Sequence, residues 1–157
     1  MADVIALVDC NNFFVSCERI FNPKIANKPT VVLSNNDGCA IARSNEAKAL
    51  GIKMGQPFFK WKHLVKPFNI KVFSPNFPLY GDLSDRIMEL LQQFAPRLEI
   101  YSIDEAFLML EATSEKQIMA YGRELQNIIK KCIGIPVSIG IATTKTLAKV
   151  ATEIAKK

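Results

Sequence analysis

An α+β fold with a split β-α-β core and a small subdomain inserted near its start follows from three observations. Strand-like and helix-like segments succeed one another as β–α, then β–β–α–β, then a closing helix. After the first strand and helix the composition shifts, with six of the eight prolines falling between Pro23 and Pro78 among most of the asparagines. Two acids, Asp104 and Glu105, stand side by side inside "RLEIYSIDEAFLML", a stretch that otherwise reads as buried sheet.

The elements can be justified in order. Val4–Val8 is a short continuous apolar run, the pattern of a fully buried strand, and it ends in Asp9. From Asn11 to Phe21 the residues Phe13, Phe14, Cys17, Ile20 and Phe21 recur at helical spacing, and Pro23 stops the helix. In the inserted region "TVVLSNNDGCAIAR" predicts a β-hairpin turning at Asn-Asp-Gly. A short helix over Ser44–Leu50 closes at Gly51, and Pro57 opens another that carries Phe58, Phe59, Trp61 and Leu64. A longer helix follows from about Phe77, with Leu83, Ile87, Leu90, Leu91 and Phe94 on one face and a stop before Pro96. Two strands, Leu98–Ile103 and Ala106–Leu110, bracket the acidic pair. Ser114 and Gln117 form a capping box for a helix that buries Ile118, Tyr121, Leu125, Ile128 and Cys132 before Gly134 ends it. "IPVSIGIA" is a further buried strand, and Thr144 starts a last helix expected to carry Leu147, Val150, Ala151 and Ile154 inside. Without the insertion this is the ferredoxin-like βαββαβ order. The last residues, "EIAKK", are still helical with no closing turn, as if cut from a longer protein.

The bulk properties narrow the function classes. The chain has 157 residues, 49% of them hydrophobic and 22% charged, which suits a globular domain with a core of its own. Its longest aliphatic run is far short of a membrane span, and "MADVIALVD" has neither a basic leader region nor a cleavage site. The four cysteines include no C-x-x-C pair, and the single histidine completes no zinc set, so reduced thiols in a cytoplasmic protein are expected. A net charge of +5 favours an anionic partner, nucleic acid before membrane, although many ordinary proteins are as basic.

In the βαββαβ order the first strand and the following hairpin are central neighbours. Asp9 then lies at the exit end of the first strand, and Asp104-Glu105 at a hairpin tip would face it. In a regular strand the two adjacent acids would point to opposite faces, and burying either alone would be costly. Gathered at a tip, three carboxylates repel one another unless a cation intervenes, and Mg²⁺ takes oxygen ligands together with substrate phosphates. On spacing alone other readings stay open: Asp9 can be a helix cap, and "SIDE" a solvated turn.

"VDCNNFFVSCE" followed much later by "YSIDEAF" resembles the paired signature of Y-family translesion DNA polymerases. "LSNNDGCAIARSNEAKALGIKMGQP" and "GIATTKTLAKVATEIAKK" resemble the UmuC-like branch of that family, and the four motifs together cover essentially the whole chain. The resemblance implies a palm formed by residues 1–22 and 76–157 and fingers formed by 23–75, without the thumb and little-finger domains that such proteins carry. It implies template-directed transfer of deoxynucleotides to a primer 3′-hydroxyl with two Mg²⁺ ions, for which Mn²⁺ can substitute. The metals would be held by Asp9, Asp104, Glu105 and the backbone carbonyl of Cys10. Phe14 would be the steric gate against a ribose 2′-hydroxyl, although on its own pattern it also reads as helix core beside Phe13. The triphosphate would be met by Asn45, Lys48 and Lys156 and by backbone N–H groups near Asn12, Phe13 and Phe14 at the start of the first helix. Other members carry a tyrosine and an arginine at the positions of Asn45 and Lys48, so the contact here differs. Ile41, Ala42 and Arg43 would face the nascent base pair.

The implied partners are primer-template DNA and deoxynucleoside triphosphates, with a sliding clamp or other repair proteins engaged by regions outside this sequence. The implied setting is the SOS response to DNA damage in a bacterial cytoplasm, at the nucleoid. A palm and fingers alone would polymerise weakly or not at all. "FFKWKHLVK" reads equally as a stacking platform for single-stranded template and as an amphipathic fingers helix. Lys145 and Lys149 on the last helix could touch phosphates. Met109 stands where the family usually has an acid, which bears on local packing rather than on the metal ligands. Two other classes are compatible with a palm-like fold: a nucleotide cyclase, disfavoured by the long insertion and the missing Gly-Gly-Asp/Glu-Glu-Phe turn, and a non-catalytic binding module, which has no physical need for the acid set.

Overall fold

The first strand takes every residue of "ADVIALVDC", and from Ala6 to Cys10 its side chains are buried on both faces of a sheet that flanks it on both sides. The structure, a computed structural model, describes residues 2–95, 97–112 and 114–156. The expected helix stop at Pro96 lies outside them. The elements run β1 (Ala2–Cys10), α1 (Phe13–Ile20), β2 (Thr30–Leu33), β3 (Ala40–Arg43), α2 (Asn45–Ala49), α3 (Phe58–Trp61), α4 (Val65–Phe68) and β4 (Lys71–Phe73). They continue as α5 (Phe77–Phe94), β5 (Leu98–Ser102), β6 (Glu105–Ala112), α6 (Glu115–Cys132), β7 (Val137–Ala142) and α7 (Lys145–Ala155). The chain divides into two units, Met1–Asn11 with Gly81–Lys157, and Asn12–Tyr80. The expected seams were after residue 22 and before residue 76. Here α1 belongs with the inserted segment, where it packs on β2 and β3, and Tyr80 joins it by stacking on Phe14.

The first unit is a four-stranded antiparallel sheet in the order β5-β6-β1-β7, the order of a split βαβ core in an α+β fold. On one face Ala6, Val8, Ala106 and Leu108 are buried. On the other, Leu7 and Phe107 form a cluster with Ala148 of α7, and Ile5, Met109 and Ala142 pack against it. Met109 therefore serves as packing beside this cluster, opposite Ile5 in the register.

Two helices differ from expectation. α7 buries Ala148 and Thr152, whereas Leu147, Val150 and Ile154, expected inside, are each more than half exposed at 52%, 52% and 68%. Gly140 is the reason. A methyl group built there would overlap the Thr152 amide nitrogen and hydroxyl and the Ala148 carbonyl oxygen. α7 thus rests almost directly on the backbone of β7, where only small residues fit. In α6, Leu125 and Ile129 are buried and Cys132 is exposed, so the inward stripe ends one turn before the expected residue. Ser114 and Thr144 cap α6 and α7 as expected, accepting from the Gln117 and Leu147 amides.

In the second unit β2 and β3 form the expected antiparallel hairpin, with a register shift between Val32 and Leu33. Asp37 takes the left-handed backbone conformation (φ 55°), and the Asn36 side chain accepts from the Gly38 amide and the Ser34 hydroxyl, so the turn closes on its own polar groups. A strand the sequence pattern did not reveal, β4, pairs parallel with β2 and gives the order β3-β2-β4. Three residues are too few for a readable period. The core of this unit gathers Val31, Leu33, Ala40, Ala47, Ile52, Trp61 and Ile70. In "FFKWKHLVK", Trp61 is fully buried and donates to the Gln56 carbonyl, Phe58 packs on the core, and Phe59 is exposed. The segment is thus a broken amphipathic helix with its indole inside, which leaves no run of aromatics for stacking on bases.

Candidate active site

The hairpin β5–β6 turns at Ile103-Asp104, one residue earlier than expected, and Glu105 is already the first residue of β6. The register shifts between Ile100 and Ser102, and Ser102 closes the ladder opposite Glu105. Ser84 of α5 holds the turn by donating to the Ile103 carbonyl.

Backbone direction brings the acids together. The Cys10 amide donates to the Asp104 carbonyl at 2.9 Å, so Cys10 faces β6. The Asn11 amide donates to Pro136 on the opposite side at 3.0 Å, so Asn11 and, by alternation, Asp9 face β7. Asp9 and Glu105, direct partners in the β1–β6 register, therefore form a non-hydrogen-bonded pair, the kind whose side chains approach most closely. Both point to the face covered by α7. Asp104, in the turn, escapes the alternation rule that would send it to the other face. The Ser102 hydroxyl lies 2.9 Å from Asp104 Oδ1 and 3.0 Å from Glu105 Oε2, and its single proton serves one carboxylate at a time.

α7 adds a cation on the same face. Ala148, Thr152 and Lys156 follow at intervals of four, and the contact at Gly140 seats that stripe against the sheet. Lys156 Nζ donates to Asp9 Oδ2 at 2.7 Å. Asp9 is only 6% exposed, and its carboxyl is pushed up from 3.8 to about 6. Burial is the main cause; the Lys156 hydrogen bond and charge hold the value down, while Glu105 and Asp104 push it further up. Burial also raises Asp104. Burial lowers the Lys156 ammonium, but its bond to Asp9 and the charges of Asp9 and Glu153 leave it raised overall.

These donors fit a divalent cation in their chemistry. They are hard oxygens, and burial raises the carboxyls of Asp9 and Asp104, a cost that a divalent cation would offset. The expected backbone ligand, Cys10, is buried beside them. Among the described residues no three His, Cys, Asp or Glu side chains are already assembled as a metal cluster, since Asp9 is held by Lys156 and the hairpin acids by Ser102.

The second unit holds the other expected residues. Asn12 takes a left-handed conformation (φ 46°) just before α1, tolerable for asparagine, and α1 begins with no side-chain cap and no acid in its first turn. Asn12 Nδ2 donates to Asn45 Oδ1 at 3.1 Å, and Lys48 Nζ donates to Asn12 Oδ1 at 2.7 Å, so all three polar residues meet. Phe13 is buried, which leaves only its backbone for a ligand. Phe14 is half-buried, stacked on Tyr80 at 4.4 Å between ring centroids and edge-on to Phe77. On β3, Ile41 and Arg43 share one face while Ala42 is buried on the other, so the three cannot all meet one ligand. The Arg43 guanidinium donates to the Ile52 carbonyl.

Sequence reasoning missed Ser102, Gly140 and Tyr80. Ser102 could have been found from hairpin register, as the residue opposite Glu105. Gly140 needs the helix docked above it. Tyr80 is fully buried, its hydroxyl donates to Glu18, and burial with that carboxylate pushes it up to about 12. Nothing in the local pattern links it to Phe14.

The impB/mucB/samB family pattern matches residues 8–153. The chain is 48% identical over 155 residues to protein UmuC of Salmonella typhimurium, covering 98% of this chain and 37% of that protein. It is 33% identical to DNA polymerase IV of Saccharolobus solfataricus, over 98% of this chain and 45% of that one. Among solved structures, DinB from Sulfolobus solfataricus superposes with a TM-score of 0.88 at 31% identity, over 96% of this chain and 45% of that one. An insertion ternary complex of Dbh DNA polymerase superposes at 0.87 and 30% identity, over 96% of this chain and 46% of that one. The chain thus spans less than half the length of each of these relatives. On the match to residues 8–153 and the shared fold, the chain belongs to the UmuC/ImpB/SamB/MucB branch of the Y-family DNA polymerases.

Proposed function

We propose that this chain is the palm and fingers region of a translesion DNA polymerase. The proposed reaction adds deoxynucleoside monophosphates to a primer 3′-hydroxyl under template direction and releases pyrophosphate. The observation that carries the reading is the gathering of Asp9, Asp104 and Glu105 at one corner of the sheet, in a chain of this family. Asp9, Asp104, Glu105 and the Cys10 carbonyl would hold two Mg²⁺ ions, or Mn²⁺ in their place. Such ions supply activation of an attacking oxygen and neutralisation of a leaving pyrophosphate. Lys156 and Lys48 supply point charges for the triphosphate, and the uncapped start of α1 offers amide donors. Asn45 orients Lys48 through Asn12. Ile41 and Arg43 remain the proposed residues for the nascent base pair, without Ala42.

Primer-template DNA is the proposed macromolecular partner, in the bacterial cytoplasm during the damage response. No helix among the described residues is long and apolar enough to cross a membrane. The test is extension of a primed template by the full-length protein with Mg²⁺ and deoxynucleotides. Wild type extends and Asp104→Ala does not; equal extension by both would remove these acids from the chemistry.

The gate role for Phe14 has its own test. Stacking on Tyr80 fixes the ring in one orientation, as a steric filter requires. Phe14→Ala is expected to raise the ratio of ribonucleotide to deoxynucleotide incorporation by about 10- to 100-fold. An unchanged ratio in single-nucleotide insertion kinetics would leave Phe14 as packing only.

A further inference from the structure

Asp9 meets a cation of the protein's own. Lys156 Nζ lies 2.7 Å from Asp9 Oδ2 and 3.4 Å from Glu153 Oε1. The two carboxylates differ in setting: the Asp9 side chain is 8% exposed and the Glu153 side chain 69%. The ammonium therefore has a buried partner and a solvated one within reach of the same side chain. Its position follows from the close approach of Gly140 to Ala148 and Thr152 of α7, two turns and one turn before Lys156.

We infer that Lys156 is an internal counter-cation for Asp9, which a divalent ion must displace, and that displacement swings the ammonium outward to meet an anionic ligand. The inference rests on the proposed metal-dependent reading and deepens it. An ammonium on Asp9 Oδ2 and a divalent ion on either oxygen of the same carboxylate lie close enough to repel strongly in this buried setting, so their occupancies of Asp9 compete. The apparent affinity for the ion is then reduced by the fraction of molecules in which Lys156 holds Asp9. Before metal arrives, the pair keeps a buried carboxylate from standing alone beside two others. Afterwards the freed charge is available to phosphate oxygens, so ion binding and anion binding assist one another.

The test is Mn²⁺ binding to the purified chain without DNA or nucleotide, followed by the electron paramagnetic resonance of free Mn²⁺. Circular dichroism confirms that each variant is folded. Lys156→Met is expected to bind Mn²⁺ about tenfold more tightly than wild type. Lys156→Arg, which keeps the cation, is expected to match wild type or bind more weakly. In an Asp9→Asn background the gain from Lys156→Met is expected to vanish. A folded Lys156→Met that binds no more tightly than wild type overturns the inference while leaving the metal site standing. A gain that persists in the Asp9→Asn background also overturns it, since the effect would then be one of general charge. If neither wild type nor Lys156→Met binds Mn²⁺, the metal-dependent reading falls and takes the inference with it.

Discussion

Asp9→Asn is expected to make the metal-free chain more stable at neutral pH while lowering primer extension by the full-length protein about a thousandfold. The two effects share one cause. Asp9 is nearly buried and its carboxyl is raised to about 6, so the folded state prefers it protonated. Between the ordinary value of 3.8 and about 6 the folded chain binds more protons than the unfolded one. Stability therefore falls as pH climbs through that window, and above it the penalty is fully present. Asparagine keeps the shape and removes the charge, but it also gives up the ion pair with Lys156. A net gain on the order of 2 kcal/mol remains. Urea denaturation in EDTA across that pH range measures it: wild type loses stability with rising pH and the variant stays flatter. A variant less stable than wild type at pH 7 would show that the Lys156 bond outweighs burial. Saturating Mn²⁺ is expected to stabilise wild type and leave the variant nearly unchanged.

Gly140→Ala is the second large effect. The added methyl overlaps main-chain atoms of α7, the Thr152 nitrogen and the Ala148 oxygen, as well as the Thr152 hydroxyl. A side-chain tip could rotate away, but main chain can yield only if the helix lifts. We expect a loss of about 3 kcal/mol, at the upper end of overpacking penalties. For a chain of this length that lowers Tm by roughly 10 °C. The same lift lengthens the bond between Lys156 and Asp9, so the fall in stability through the Asp9 titration should deepen and reach to higher pH than in wild type. A Tm within a degree or two of wild type would mean that α7 does not rest on β7 as described.

How much was legible in the sequence depended on what each signal encodes. The order of strands and helices followed from hydrophobic periodicity, because burial is patterned along each element. That Asp9, Asp104 and Glu105 gather at one corner of the sheet was legible from their positions at strand ends, while the role given to them rests on the family resemblance. The turn was misplaced by one residue because "SIDE" offers no glycine or proline to mark it, and its boundary is set by the Ser102–Glu105 pairing. The last helix was read with Leu147, Val150 and Ile154 inside because apolar residues usually are. Which face docks was decided instead by a glycine on another element, and no property of the helix alone reveals that. β4 escaped because a three-residue parallel strand beside β2 depends on a partner distant in sequence. The resemblance groups Ala42 with Ile41 and Arg43, and strand alternation on β3 sets Ala42 on the opposite face from the other two.

The position of β1 also sets an order of events during synthesis. β1 is made before both of its sheet neighbours, β6 and β7, which follow it by about a hundred residues. Residues 12–80, by contrast, form a unit that is continuous in sequence and can close on itself as soon as it emerges. The central strand must wait, apolar on both faces, until the residues from Glu105 onward have been made. The long loop it then closes is the slow kind of contact to form. Synthesis thus completes the inserted unit before the sheet that carries Asp9, and a nascent chain halted before Val137 would leave β1 as an exposed apolar strand for chaperones to hold.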